Sequence, residues 1–185
     1  MKVLSKSLLA LALASITTTA LATTVVNQAI TESEVIGAQK AWCQALVDIS
    51  STYEKDGQPA AKALAEKVID SAYGYQMGAV LFKPTLTVAP QTFRTTRDGA
   101  VAYFVGGDPA YPHDKGFALK GWTGCKAQNA GIFIAGDSAT SMGNVLITNK
   151  DGKVTTVDKT FSYVKDDAGN LRIVVHHSSL PYTGK

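Results

Sequence analysis

Histidine and cysteine are nearly absent from this chain, with three of the first and two of the second in 185 residues. Two distant cysteines, Cys43 and Cys125, spell neither a metal knuckle nor a redox pair. No Walker loop, dinucleotide glycine fingerprint or H-E-x-x-H string occurs, which removes the common nucleotide and zinc-protease chemistries. A bilayer-spanning apolar run is missing too, since the longest candidate, Leu8 to Ile16, is too short to cross a membrane. Charge is thin at 18% of residues, and of the formal +3 two charges come from Lys2 and Lys6, leaving the remainder near neutrality. A nearly neutral chain lacks the basic field that nucleic acid requires, so nucleic acid is excluded as a partner.

The N-terminus has the layout of an export signal. Lys2 and Lys6 precede an apolar stretch that ends in the small residues Ala20-Leu21-Ala22. We therefore expect residues 1–22 to be a signal peptide cut after Ala22, and residues 23–185 to be one domain that is periplasmic or secreted, with no membrane attachment after cleavage. No cysteine follows the cut, which argues against a lipoprotein. An oxidising compartment permits one disulfide between Cys43 and Cys125, but the sequence favours two separate, half-buried thiols over a bridge.

The domain changes character midway. From Thr31 to Lys55, Val35, Ala38, Trp42, Leu46, Ile49 and Tyr53 recur every three or four positions, the stripe of an amphipathic helix, with Thr31 and Glu34 forming a capping box. KDGQP closes it, and Pro59 opens a second helix. After Gly74 the pattern turns strand-like: VLFKPTLTV, QTFRTTR, AVAYFVGG, GWTGCKAQNAGIFIAG, ATSMGNVLITN, VTTVDKTFSYVKD and NLRIVVHHSS, separated by turns such as RDGA, NKDGK and DDAGN. Helices followed by an antiparallel meander predict an α+β domain, its N-terminal helices packed on one face of a curved antiparallel sheet around a ligand-sized hollow. Trp42, Phe82, Phe93, Phe117, Trp122 and Phe133 are the expected core or cavity wall.

The polar residues that end the last apolar run are the first candidate site. In a strand, alternate side chains share a face, so His176 and Ser178 lie with Val174 on one side, and His177 and Ser179 on the other. Only one pair lines the hollow. Neighbouring histidines on a strand cannot both reach one ion, and a three-histidine zinc site would need His113 as well, with Asp108 or Asp114 as carboxylate help; no ligand spacing supports it. Thr85, after Pro84, and Tyr103, in AVAYFVGG, are further polar residues in apolar surroundings. The S-x-x-K string Ser162–Lys165 lies in a strand, where its serine cannot begin the helix that chemistry needs.

GYQMGAVLFKPT, TFRTTRDGAVAYFVGGD, DKGFALKGW and IVVHHSSLPY, in that order after an export signal and two helices, resemble the small bacterial iota-class carbonic anhydrases, relatives of the calcium/calmodulin-dependent kinase II association domain. The resemblance implies a cone-shaped, nuclear-transport-factor-like α+β fold, a homodimer, and hydration of carbon dioxide to bicarbonate. Some members of that family are described with zinc or manganese and others without metal; the motifs here match the metal-free kind, so no cofactor is expected. It assigns catalysis and substrate binding to Thr85, Tyr103, His176 and Ser178; Phe82 and Phe104 are expected, on chemical grounds, as apolar neighbours of carbon dioxide in substrate binding. Two rivals follow from the fold alone: an exported non-enzymatic module that binds a small anion or oligomerises, and a dehydratase or isomerase using a carboxylate base such as Asp158.

Overall fold

The computed structural model describes residues 28–184; the expected signal peptide and its cut after Ala22 lie outside them. Helix α1 (Glu32–Ala72) opens on the capping box, in which the Thr31 hydroxyl accepts from the Glu34 amide and the Glu34 carboxylate accepts from the Thr31 amide. Its continuity is interrupted where the sequence places a turn, at Gly57, whose φ of 81° is a left-handed value that favours glycine. Val35, Trp42, Leu46 and Ile49 are buried along the expected stripe, and Tyr53 at its end is exposed.

Five strands form one sheet: β1 (Leu81–Lys83), β2 (Trp122–Ala135), β3 (Ser138–Asn149), β4 (Val154–Lys165) and β5 (Leu171–Ser179), in the order β1-β5-β4-β3-β2. From β2 to β5 it is the expected antiparallel meander. The edge strand β1 corrects that picture by pairing parallel to β5, so the sheet is mixed. Only three residues of VLFKPTLTV form that strand, because Pro84 lacks the amide that would continue the ladder. The core fills the space between α1 and the inward face of the sheet.

Two expected strands are absent. QTFRTTR is irregular, organised by Arg94, whose guanidinium is buried and bonded in bidentate fashion to Asp114. AVAYFVGG belongs to helix α2 (Arg97–Val105), started by the Thr96 hydroxyl accepting from the Gly99 amide and stopped at Gly106, whose φ is 64°. Every residue from Gly99 to Val105 is buried, so the helix shows no polar face and its apolar run reads as a strand. Phe93 and Phe133, expected in the core, are 66% and 72% exposed, Phe133 lying near the tip of the β2–β3 hairpin.

Cys43 on α1 and Cys125 on β2 form a disulfide that closes a separation of 82 residues. Removing the chain entropy of so long a loop from the unfolded state stabilises the fold by roughly 4 kcal/mol. Denaturant titrations of oxidised and reduced protein should therefore differ by several kcal/mol in unfolding free energy; coincident curves would show that the bridge stabilises nothing.

Candidate active site

The last strand brings its polar residues inward as the pleat requires. His176 and Ser178 are each 1% exposed, and His177 between them faces out. A register irregularity where Tyr163 pairs with Ile173 and Ser162 with Val175 shifts the alternation upstream, so that Ile173, and not Val174, is the apolar residue buried with them. The parallel pairing of β1 sets Phe82 beside His176, and their rings stack at 4.4 Å. One turn of chain later, Thr85 Oγ1 meets Ser178 Oγ at 2.5 Å.

Tyr103 reaches the same region from α2. Its ring stands edge-on to Phe82 at 5.6 Å, and Phe104 stacks on Phe82 at 5.9 Å. The Tyr103 hydroxyl is buried and has no hydrogen-bond partner among the described residues. Burial pushes its pKa up, partly offset by the Leu86 and Thr85 amides and the Thr85 hydroxyl, which lie close to the phenol oxygen without closing a hydrogen bond of ordinary length and angle. Tyr103 also lines a cavity of about 120 Å³, together with Leu86, His113, Asp114, Lys115, Gly116, Phe117 and Lys120. That is well below the ~300 Å³ at which pockets for larger organic ligands begin. Asp114 is the one carboxylate on its wall, and Arg94 bonds both of its oxygens. Asp158 faces away, exposed and bonded to Asn144. Three larger grooves, two of about 500 Å³ and one of about 630 Å³, are lined by none of the six candidate residues.

The environment of His176 corrects one expectation. Its Nδ1 lies 2.9 Å from the Tyr73 hydroxyl, its Nε2 lies 2.6 Å from Lys159 Nζ, and the ring is enclosed by Trp42, Tyr73, Phe82 and Phe161. Burial, then the Lys159 charge, then His177, hold its pKa well below the ordinary histidine value, so it is neutral at pH 7 and not the ready proton exchanger that its residue type suggests. Lys159 is the group that titrates there: burial lowers its pKa to about 7. Sequence reasoning passed over Lys159 and Tyr73. The signal was present in VTTVDKTFSYVKD, where Val157, Lys159, Phe161 and Tyr163 alternate onto one buried face and a lone lysine interrupts it.

No three histidine, cysteine, aspartate or glutamate side chains converge as a metal cage among the described residues. Residues 33–180 match the family described as metal-independent carbonic anhydrase. The chain belongs to that family. A metal-independent carbonic anhydrase from a Nostoc species is 66% identical over 165 residues, covering 89% of this chain and 80% of that protein. The crystal structure of a cyanobacterial iota-carbonic anhydrase complexed with bicarbonate superposes with a TM-score of 0.85 at 67% identity, covering 88% of this chain and 99% of that one. A calcium/calmodulin-dependent kinase II association-domain protein from Xanthomonas campestris, 22% identical with a TM-score of 0.54 over 88% of this chain and 99% of its own, shares the fold. An NTF2-like protein from Pseudomonas putida, 16% identical at a TM-score of 0.51 over 83% of this chain and 89% of its own, shares it as well. As a carbonic anhydrase of this family, the chain hydrates carbon dioxide to bicarbonate without a resident metal.

The buried lysine makes a stability prediction with a definite sign. Unfolded, Lys159 keeps its proton to about pH 10.5; folded, it loses it near 7. Between those values the unfolded state binds more protons, so stability rises with pH through that window and is lowest below 7. His176 acts the same way lower down, costing further stability as pH falls through about 6.5. We expect unfolding free energy to rise by about 3 kcal/mol between pH 7 and 9.5, and the rise to flatten in Lys159→Met. Parallel pH curves for the two proteins would contradict a neutral buried lysine.

Proposed function

We propose that hydration takes place where Thr85, Ser178 and Tyr103 approach one another, with Phe82 and Phe104 as the apolar wall for carbon dioxide. The observation that carries this reading is the buried, unpartnered Tyr103 hydroxyl, because an orphaned polar group in a core is costly unless a ligand completes it. The hydroxyl inventory fits a small oxyanion. Thr85 and Ser178 use one of their two protons on each other, leaving one donor free, and Tyr103 supplies a second. Two free donors and several lone pairs can hold a water oxygen against the carbon of carbon dioxide and then receive the charge that develops on bicarbonate. His176 belongs to the site as the neutral ring on which Phe82 stacks, fixing the inward face of β5.

Of the candidate residues only Tyr103 lines the small cavity, whose size suits carbon dioxide better than the larger substrate of a dehydratase or isomerase; Asp114 on its wall is engaged by Arg94, and Asp158 is turned away. A non-enzymatic anion-binding or oligomerisation module would not require the family membership reported above. We further propose that residues 1–22 are removed on export and that the enzyme works in the periplasm or outside the cell, which the Cys43–Cys125 disulfide supports. Homodimer formation is proposed as well, supported by the exposed apolar side chains Phe133, Met142 and Leu180.

Stopped-flow hydration assays test the site. Tyr103→Phe and Ser178→Ala each remove one hydroxyl and should lower kcat/KM about 100-fold with an unchanged circular dichroism spectrum. Exhaustive chelation should leave wild-type activity intact. Wild-type rates in both variants would exclude this site, and loss on chelation with recovery on adding zinc would exclude metal-independent hydration.

A further inference from the structure

Beneath the proposed site runs a single chain of buried donors and acceptors. Trp42 Nε1 donates to the Tyr73 hydroxyl at 2.9 Å, Tyr73 meets His176 Nδ1 at 2.9 Å, and His176 Nε2 meets Lys159 Nζ at 2.6 Å. Trp42 can only donate, and this fixes how the rest must run. With Lys159 as a neutral amine every proton between Trp42 and Nε2 finds an acceptor: Tyr73 donates to Nδ1, Nε2–H donates to the lysine lone pair, and the two amine protons are left with the ring faces of Trp42 and Phe161. With Lys159 protonated the imidazole must reverse. The ammonium donates to Nε2, Nδ1–H donates to Tyr73, and the Tyr73 proton is left without an acceptor among the hydrogen bonds of the described residues. The ammonium would gain the faces of Trp42, at 4.4 Å, and Phe161, at 5.6 Å, as its other neighbours.

No carboxylate ion-pairs with Lys159 among the described residues. The titratable groups packed around it are His176 from β5, Tyr73 at the end of α1 and Tyr163 along its own face of β4. Lys83 on β1 places its ammonium on the Ser178 carbonyl at 3.1 Å, while Asp158 and His177 lie on the opposite face. A buried amine without a counter-anion has one obvious complement: the anion formed next to it. Lys159 pairs across the β4–β5 ladder with Ser178 itself.

We propose that Lys159 is the charge-compensating residue of the site, neutral when the site is empty and protonated when bicarbonate occupies it, with His176 switching tautomer between the two states while its ring stays uncharged. This rests on the placement of bicarbonate at Thr85, Tyr103 and Ser178. In the hydration direction the water oxygen bonds to carbon, one water O–H bond breaks, and the proton balance closes on the Lys159 lone pair, so that carbon dioxide, water and amine become bicarbonate and ammonium. No oxidation or reduction is involved. The proton leaves when bicarbonate leaves.

Isothermal titration of the wild-type protein with bicarbonate, in buffers of different ionisation enthalpy between pH 7.5 and 9, tests this directly. Uptake of nearly one proton per bicarbonate is expected, with affinity weakening by close to tenfold per pH unit. Nitrogen-15 spectra of labelled histidine should show His176 moving from the Nε2–H to the Nδ1–H tautomer on binding, a change that a purely structural lysine would not produce. Lys159→Met should abolish both the proton uptake and the pH slope; the wild-type measurements stand without it if that variant does not fold. Bicarbonate binding with no proton uptake would overturn the role of Lys159 and leave the hydration site standing, whereas absence of both binding and hydration would overturn the two together.

Discussion

A parallel pairing of only three residues, Leu81–Lys83 against Val175–His177, joins the β1 and β5 halves of the proposed site. It sets Phe82 against His176, and because the chain turns at Pro84 directly afterwards, it delivers Thr85 to Ser178. Without that edge strand the Thr85 hydroxyl would belong to a surface loop, and the inward face of β5 would lack its aromatic cover. The pairing is short, so its hold comes from packing: Phe82 touches Tyr73, Tyr103, Phe104 and His176, four rings carried by the end of α1, α2 and β5.

Electrostatically the proposed site is built from neutral groups above one buried amine. Burial raises the pKa of the Tyr73 and Tyr103 hydroxyls and lowers that of His176, so all three stay uncharged at neutral pH, and Lys159 alone sits near its midpoint. Catalysis without a metal needs donors already aimed at the oxygens where charge accumulates, the part that the proposed site gives to its buried neutral hydroxyls. The buried Arg94–Asp114 pair ties the irregular segment around Arg94 to the Asp114 segment that lines the cavity, so their order does not depend on regular secondary structure.

Much of this was legible in the residues. The helical stripe of α1, the capping box at Thr31, the break at Gly57 and the four long strands follow from periodicity and turn chemistry, and the pleat alone separates His176 and Ser178 from their neighbours. What escaped was set by tertiary surroundings. AVAYFVGG reads as a strand because α2 is buried all round and has no polar face. Nothing local marks Arg94 as a partner of Asp114, 20 residues on. The bulge that replaces Val174 by Ile173 on the buried face is invisible to a strict alternation. Lys159 is the instructive case, since its position on an apolar face was plain while its contact with His176 required the β4–β5 register.

A crystal structure of this protein soaked in bicarbonate would test the arrangement most directly. The hydroxyls of Thr85, Tyr103 and Ser178 should all lie within about 3.2 Å of the oxygens of one bound anion, with the Tyr103 hydroxyl acquiring the partner it lacks. An anion bound elsewhere, with Tyr103 still unpartnered, would contradict it.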